Sequence, residues 1–385
     1  MGTTDVFFDL SSTQIDIPDG KQFQSWKLKI FSKEEFQILE KKQQLLYLAS
    51  FGILAPSTHN TVPERFIIHP EPFTIDIFID QTHVLPQSDP VGRQTAVSIG
   101  CTLTNMQFVA AHYGLDTIIN LIHNKISPFH AGENRYTHMI KVQLIPTSGE
   151  KHVEKAWLKA MLKRKVIRAE FDSTQKLPED IMQQLLTVVK TDYSYISFHL
   201  ITDKFRIHSL GKFEELAMRT VVEKEKFALE LGEWLLPNND AASFAMRGRE
   251  FGFDDTYAQK IHKGLLQQER LLPDEIAAFA TGGKIMMNSS PAIGVITIQQ
   301  DIPSQQIEAG RFFEYTALLL QQHGFTTAVH AGITEVDYVN RMFAVALRTR
   351  ERPTVVFRIG KPLSEKDWER PHSARPLLEE LILEH

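Results

Sequence analysis

The sequence predicts an α+β fold made of two similar halves, and three observations carry the prediction. At 385 residues the chain holds two units of roughly 150 residues, or one large one. The order helix, loop, strand, helix, strand runs through it twice. In each run the second helix is bracketed by glycines at the same separation, Gly100 with Gly114 and Gly310 with Gly324.

Taken in order, Ser32 and Glu35 form a capping box, and Phe36, Leu39, Gln43, Leu46 and Ala49 continue at near-helical spacing to Gly52. The segment Ala55–Pro63 is irregular. Phe73 to Ile79 alternates as a half-buried strand, with Ile75, Ile77 and Ile79 on one side. Ser98 to His112 is apolar at helical spacing and stops at Gly114, and Tyr136 to Leu144 is the next strand. The second run opens at Lys176–Asp180 with a helix through Val189. Strands follow at Ser197–Ile201 and Ala292–Ile298, then a helix from Gly310 to His323 and a strand from Thr354 to Ile359. The halves divide at residues 1–160, with an N-terminal arm, and 161–385. The second half carries a helix-rich, charged insertion at about 204–279, and no Pro/Gly/Ser-rich linker separates the two.

Composition excludes several classes. The 42 basic and 47 acidic residues give a net charge of −5, which does not suit a nucleic-acid partner. A single cysteine, Cys101, excludes a disulfide framework or a multi-cysteine metal site, and on an apolar helix it reads as a buried, inert thiol. Asp5 and Asp9 do not suit a signal peptide, Val6 does not suit myristoylation at Gly2, and no apolar run approaches the roughly 20 residues of a membrane span. The expectation is a cytoplasmic protein. Walker, Gly-x-Gly-x-x-Gly and Gly-x-Ser-x-Gly motifs are absent, and the 15 histidines are scattered without metal-ligand spacing, so no metal is expected.

Two features carry chemistry, a small-polar loop and a pair of cationic stretches. Pro56-Ser57-Thr58-His59-Asn60 offers hydroxyls and backbone N–H groups to a phosphate or a ring edge, though an ordinary capped turn reads the same way. Lys163-Arg164-Lys165-Val166-Ile167-Arg168 and Ser373-Ala374-Arg375-Pro376 supply guanidinium forks suited to phosphate, or a solvated basic face.

Together and in this order, these stretches resemble the FMN-dependent nitroreductase family. Ala55 to Glu64 is similar to the family's serine–asparagine loop, with Val62 and Glu64 where the family has Gln and Trp. Arg164 to Arg168 resembles its arginine stretch. Gly324 and Gly332 have the family's separation, and Val355–Gly360 followed by Ser373–Pro376 resembles its end. Asp89-Pro90-x-Gly92-Arg93 and Gly310-Arg311 resemble the double-length, single-chain Acg-type branch.

The resemblance implies a nitroreductase-like fold whose fused halves form an intramolecular pseudo-dimer with one FMN per chain. The implied cofactor site combines Ser57, His59 and Asn60 with Arg164, Arg168, His330, Ala331, Gly332 and Arg375. The arginines would meet the phosphate, Ser57 and Asn60 the ribityl chain or pyrimidine edge, and a backbone N–H of residues 329–332 the flavin N5. No protein group is implied as a catalyst, because the flavin carries the chemistry. The mirror site is implied to be lost, with Tyr193–Phe198 and Trp26–Lys29 in place of the loop and the arginines. The implied activity is two-electron reduction of a small nitroaromatic or quinone-like acceptor by NADPH or NADH. The alternative is a protein that sequesters FMN with little turnover, its insertion folded over the flavin. A monomer is expected, and a dimer through another surface stays open.

Overall fold

The computed structural model describes residues 7–8, 20–122, 134–148, 153–268 and 273–384. Gly2, Asp5, Val6 and Asp9, read above for targeting signals, lie outside them.

The capping box forms as expected: the Ser32 hydroxyl accepts the Glu35 N–H, and the Glu35 carboxylate accepts the Ser32 N–H. The helix it opens, α1 (Lys33–Gln37), is short, and the expected single helix is two. Gln44 donates to the carbonyls of Phe36 and Leu39, closing α1, while Gln43 accepts the Glu40 N–H and opens α2 (Lys41–Gly52).

Strands β1 (Glu64–His69) and β2 (Thr74–Asp80), helix α3 (Arg93–His112), strands β3 (Leu115–Leu121) and β4 (Tyr136–Pro146) and helix α4 (Lys155–Lys163) complete the first half. The second begins with α5 (Glu179–Asp192) and β5 (Ile196–Ile201). Helices α6 (Lys204–Glu223) and α7 (Glu225–Trp234), the short strands β6 (Leu235–Leu236) and β7 (Met246–Arg247), α8 (Asp255–Leu265) and α9 (Pro273–Asn288) then intervene. The half ends with β8 (Ala292–Ile298), α10 (Pro303–Gln322), β9 (Thr326–Val329), α11 (Gly332–Glu335), α12 (Asp337–Leu347) and β10 (Arg352–Gly360).

Among the described residues, two four-stranded antiparallel sheets form, ordered β1-β2-β4-β3 and β5-β8-β10-β9. Counted among its own four strands, each sheet runs first, second, fourth, third. Strand β8 is buried at every position, which suits its unbroken Ala-Ile-Gly-Val-Ile-Thr-Ile run.

Helices α3 and α10 cross between the sheets at their glycines. A Cβ on Gly100 would stand 2.2 Å from the Ile307 carbonyl oxygen, and one on Gly310 would stand 2.0 Å from that of Val97. Val97 precedes Gly100 by the same step that Ile307 precedes Gly310, so the contact is reciprocal, as in an isologous interface. Only a residue without Cβ permits it. Cys101, buried as expected, donates through its thiol to the Gly310 carbonyl at 3.3 Å, and burial holds that thiol far above its ordinary pKa. Each helix stops at a glycine with positive φ, 79° at Gly114 and 71° at Gly324.

Two extended segments cross between the halves. Residues 164–168 run beside the second sheet, where Val166 bridges Thr327 and Thr326 donates to the Lys165 carbonyl. The C-terminal segment returns to the first half: Arg375 N–H donates to Gln22, Ser25 donates to Pro376, and Leu383 N–H donates to Phe66. These crossings bring Arg164, Arg168 and Arg375 to the loop after α2.

Candidate functional site

That loop is held in a conformation its residues do not favour. His59, Asn60 and Val62 have φ of 49°, 57° and 48°. Left-handed backbone costs about 1–3 kcal/mol at a non-glycine residue and is least tolerated by a β-branched one. Several bonds hold it there. Ser57 accepts the N–H of Asn60 on its carbonyl and that of Val62 on its hydroxyl, and Arg65 donates to the Val62 carbonyl. Asn60 gives its amide protons to the carbonyls of Ala245 and Ala374, and its Oδ1 accepts from Arg375. Asn60 therefore fixes the loop against the insertion and the C-terminal segment, with both amide protons spent inside the protein. Ser57, accepting from Val62, still has its own proton to donate.

The arginines differ from one another. Arg375 is buried and donates to Ile53, Asn60, Ala55 and Ala374, so four of its five N–H groups hold backbone and loop. Burial, reinforced by Arg164, lowers its pKa to about 10. Arg164 donates to the Leu54 carbonyl and lies 3.2 Å from the buried carboxylate of Glu314 on α10. Arg168 is the most accessible of the three. It stacks 4.6 Å over the Phe251 ring and reaches Glu250 only at 3.4 Å. With Lys165 and Arg370, these arginines border a narrow cleft whose one carboxylate, among the described residues, is Glu250. Such an excess of cations suits an anion with several oxygens. Trp26, expected with the lost mirror site, lies here instead: it stacks on His372 at 4.2 Å and sits 5.2 Å from the Arg375 guanidinium.

A second cavity, of about 120 Å³, adjoins the cleft through Pro56, Ser57, Val166 and Arg168. A third, of about 290 Å³, adjoins the second through His59, Arg168, Met246, Val329 and Ala331. All nine sequence-chosen residues border this system. Asn60, Arg164 and Arg375 lie on the cleft, Ser57 on the cleft and second cavity, His59 and Ala331 on the second and third, and His330 and Gly332 on the third. Arg168 borders all three.

The segment that follows β9 supplies one wall of the large cavity. His330 N–H is spent on the Val356 carbonyl, which leaves the N–H groups of Ala331 and Gly332 as candidates to face a ligand. Gly332 packs under Met218 of α6, whose sulfur would stand 3.0 Å from a Cβ. The insertion supplies half of the residues around this cavity. It is anchored to the first half by Glu230, whose carboxylate accepts from Gln87 N–H, Ser88 N–H and the Ser88 hydroxyl at 2.6–2.8 Å. Elsewhere in the insertion, Trp234 packs on His83 and Phe244, Arg247 donates to the carbonyls of Asp240, Ala242, Phe244 and Ala245, and Glu223 is exposed.

The large cavity's electrostatics were not legible from motifs. Burial, then Arg168, lowers the His59 pKa to about 4, so this ring is neutral at physiological pH. Glu335 lies at the end of α11 and accepts from Gln94 at 3.2 Å. Burial, with Glu214, Glu230 and Asp89 nearby, raises its pKa to about 8 against that hydrogen bond. His330 Nδ1 lies 2.9 Å from Glu214. His59 Nδ1, His330 Nε2 and Glu214 Oε2 are buried without a hydrogen-bond partner. Glu214, on α6, and Glu335, at the end of the four-residue α11, read in sequence as ordinary charged positions.

No family model and no curated protein matches this sequence. Among solved structures, it is similar to the FMN and NADPH-dependent nitroreductase NfnB of Sphigopyxis sp. strain HMH, with 15% identity across 60% of this chain and 98% of that one at a TM-score of 0.38. The FMN-dependent nitroreductase NfnB of Mycobacterium smegmatis, in complex with NADPH, gives 12% identity, the same coverages and a TM-score of 0.38. The NADPH:FMN oxidoreductase of Vibrio harveyi, complexed with NAD⁺, gives 10%, with 54% of this chain and 70% of that one covered, at 0.32. Likenesses this low carry no argument about this chain's activity.

Proposed function

We propose that this chain is a monomeric FMN-dependent oxidoreductase of nitroreductase type, two fused halves arranged as an intramolecular pseudo-dimer around one flavin site. Its donor is NADPH or NADH, and its acceptors are nitroaromatic or quinone-like. One observation carries the reading: nine residues from stretches as far apart as Ser57 and Arg375 border three adjoining cavities, with Arg168 on all of them. The equal strand order of the two sheets and the reciprocal crossing of α3 and α10 support the pseudo-dimer.

The residues fit a ligand with an anionic end and a planar polar ring. The cleft sets five cationic side chains against Glu250, and the cavities beyond it hold unpartnered ring nitrogens of His59 and His330. FMN, when bound, supplies two-electron hydride transfer. Arg168 is the side chain with capacity left to hold its phosphate, backed by the charge of Arg164 and Lys165. Arg375 and Asn60 position the loop, and Ser57 donates its hydroxyl. His59, neutral, offers a hydrogen bond without a charge, and the insertion walls half of the large cavity.

A second reading, FMN storage with little turnover, draws on the insertion's share of the cavity wall and its Glu230 anchor. The test is an anaerobic addition of NADPH, then NADH, to FMN-loaded protein while the flavin absorbance is followed. Rapid bleaching supports the oxidoreductase. Bound flavin that neither nicotinamide bleaches supports storage, and a protein that takes up no FMN refutes both.

A further inference from the structure

The large cavity is mostly apolar, walled by Met218, Val221, Phe227, Leu231, Phe279 and Met286. An ion moved into such a space loses its hydration without return unless it is paired. The cationic side chains on its edge do not offer that pairing freely. Arg358 is buried and gives its terminal N–H groups to the carbonyls of Ile167, Ala169 and Met286, and in the flavoenzyme reading Arg168 is taken up by the phosphate.

Into this space Glu335 presents a carboxyl whose side chain is 5% exposed. The groups facing it come from every neighbouring element. His59 of the strained loop has Nε2 at 3.8 Å from Oε1, and Gln94 at the start of α3 donates to it. Asp89, in the segment before α3, is held by the N–H groups of Gln94 and Thr95. Glu214 of α6 is paired with His330, and Glu230 of α7 is bound to Gln87 and Ser88. Glu214, Glu230 and Asp89 thus oppose a charge on Glu335, and no cation pairs with it among the described residues. A carboxyl so placed keeps its proton, and a buried O–H needs an acceptor. Two further observations point to a ligand rather than to structure alone. The space measures about 290 Å³, and His330 Nε2, on a residue 7% exposed, borders it without a partner.

We propose that Glu335 is a protonated hydrogen-bond donor into the large cavity and that the cavity selects an uncharged, largely apolar ligand bearing a carbonyl or nitro oxygen. This deepens the flavoenzyme reading by naming the feature that selects its acceptor. The binding itself is testable without turnover.

The probe is menadione, a neutral naphthoquinone, titrated by calorimetry between pH 6.5 and 9.5 into the full chain loaded with oxidised FMN and, in parallel, without added FMN. Binding that needs the protonated carboxyl weakens about tenfold between pH 7 and pH 9, because the group titrates near 8. Glu335→Gln keeps a donor and cannot titrate, so it binds menadione at pH 7 within about threefold of the parent and shows no weakening at pH 9. The anionic 1,4-naphthoquinone-2-sulfonate binds at least about tenfold more weakly than menadione. Menadione affinity independent of pH in the parent, a pH dependence that survives in Glu335→Gln, equal affinity for the sulfonate, or no saturable binding would each overturn the proposal. Menadione binding with the stated pH dependence in a protein that takes up no FMN would refute the flavoenzyme reading and leave this inference standing.

Discussion

Replacing Gly310 with Ala adds a methyl group where α3 and α10 cross. Its Cβ would lie 2.0 Å from the Val97 carbonyl oxygen and 2.9 Å from the Val97 Cα. Ordinary contact begins at 3.4 Å, so the two backbones would have to part by 3.4 Å less 2.0 Å, or 1.4 Å. Both atoms belong to the backbone of a buried helix and have no rotamer to escape into. Over-packing of this kind costs about 3 kcal/mol at the upper end of its usual range. Alanine returns about 1 kcal/mol of helix propensity, leaving a net loss of about 2 kcal/mol. Gly282 supplies the control. It lies within α9, and its added Cβ would meet nothing within 4 Å, so Gly282→Ala gains about 0.5–1 kcal/mol from propensity alone. Urea unfolding followed by far-ultraviolet circular dichroism compares the two variants with the parent. The same chemical change should lower the midpoint at one glycine and raise it at the other. A Gly310→Ala protein as stable as the parent would refute the close reciprocal crossing.

Arg168→Ala removes a charge-assisted phosphate contact of about 1.5–3 kcal/mol, so FMN binding, read by fluorescence titration, weakens at least about tenfold with little change in melting. Arg375→Ala behaves differently: it releases the acceptors at Ile53, Ala55 and Asn60, so its thermal midpoint falls well below that of Arg168→Ala. Ser57→Ala leaves the N–H of Val62, a residue 1% exposed, without its acceptor and costs about 1–3 kcal/mol in denaturant unfolding. Asp80 gives a pH signature. Burial pushes its carboxyl up, but hydrogen bonds from Arg135 and Thr82 and the charge of Arg65 outweigh it and bring its pKa down to about 2. Its contribution is therefore full above its ordinary value of 3.8 and is lost as pH falls towards 2. The stability gap between the parent and Asp80→Asn, measured by urea titration at several pH values, should be constant near neutrality and narrow below pH 4.

Strong local signals made much of the fold legible. The β8 run was readable to the residue because a strand buried on both faces needs no alternation. The glycines ending α3 and α10 were readable because their left-handed φ suits few other residues. The starts of those helices were not. α3 opens at Arg93 and α10 at Pro303, several residues before the apolar periodicity begins, since polar first turns carry no hydrophobic signal. Strand β3 was missed because it is a half-exposed edge strand, and β9 because it has four residues. The site was legible as a set of stretches but not as a division of labour. Guanidinium groups look alike in sequence. Only the fold shows that Arg375 is spent on carbonyls while Arg168 keeps capacity, or that Trp26 belongs beside them. Glu335 had no signal, because its character comes from burial and from three carboxyls on other segments, Asp89, Glu214 and Glu230.

The most direct test of the central claim is the stoichiometry of FMN binding to the purified full chain, measured by absorbance titration with removal of unbound flavin. The account predicts saturation at one FMN per chain, held in the system bordered by Arg168 and lost or much weakened in Arg168→Ala. Two flavins per chain would contradict the single composite site, and none would contradict the flavoprotein reading itself.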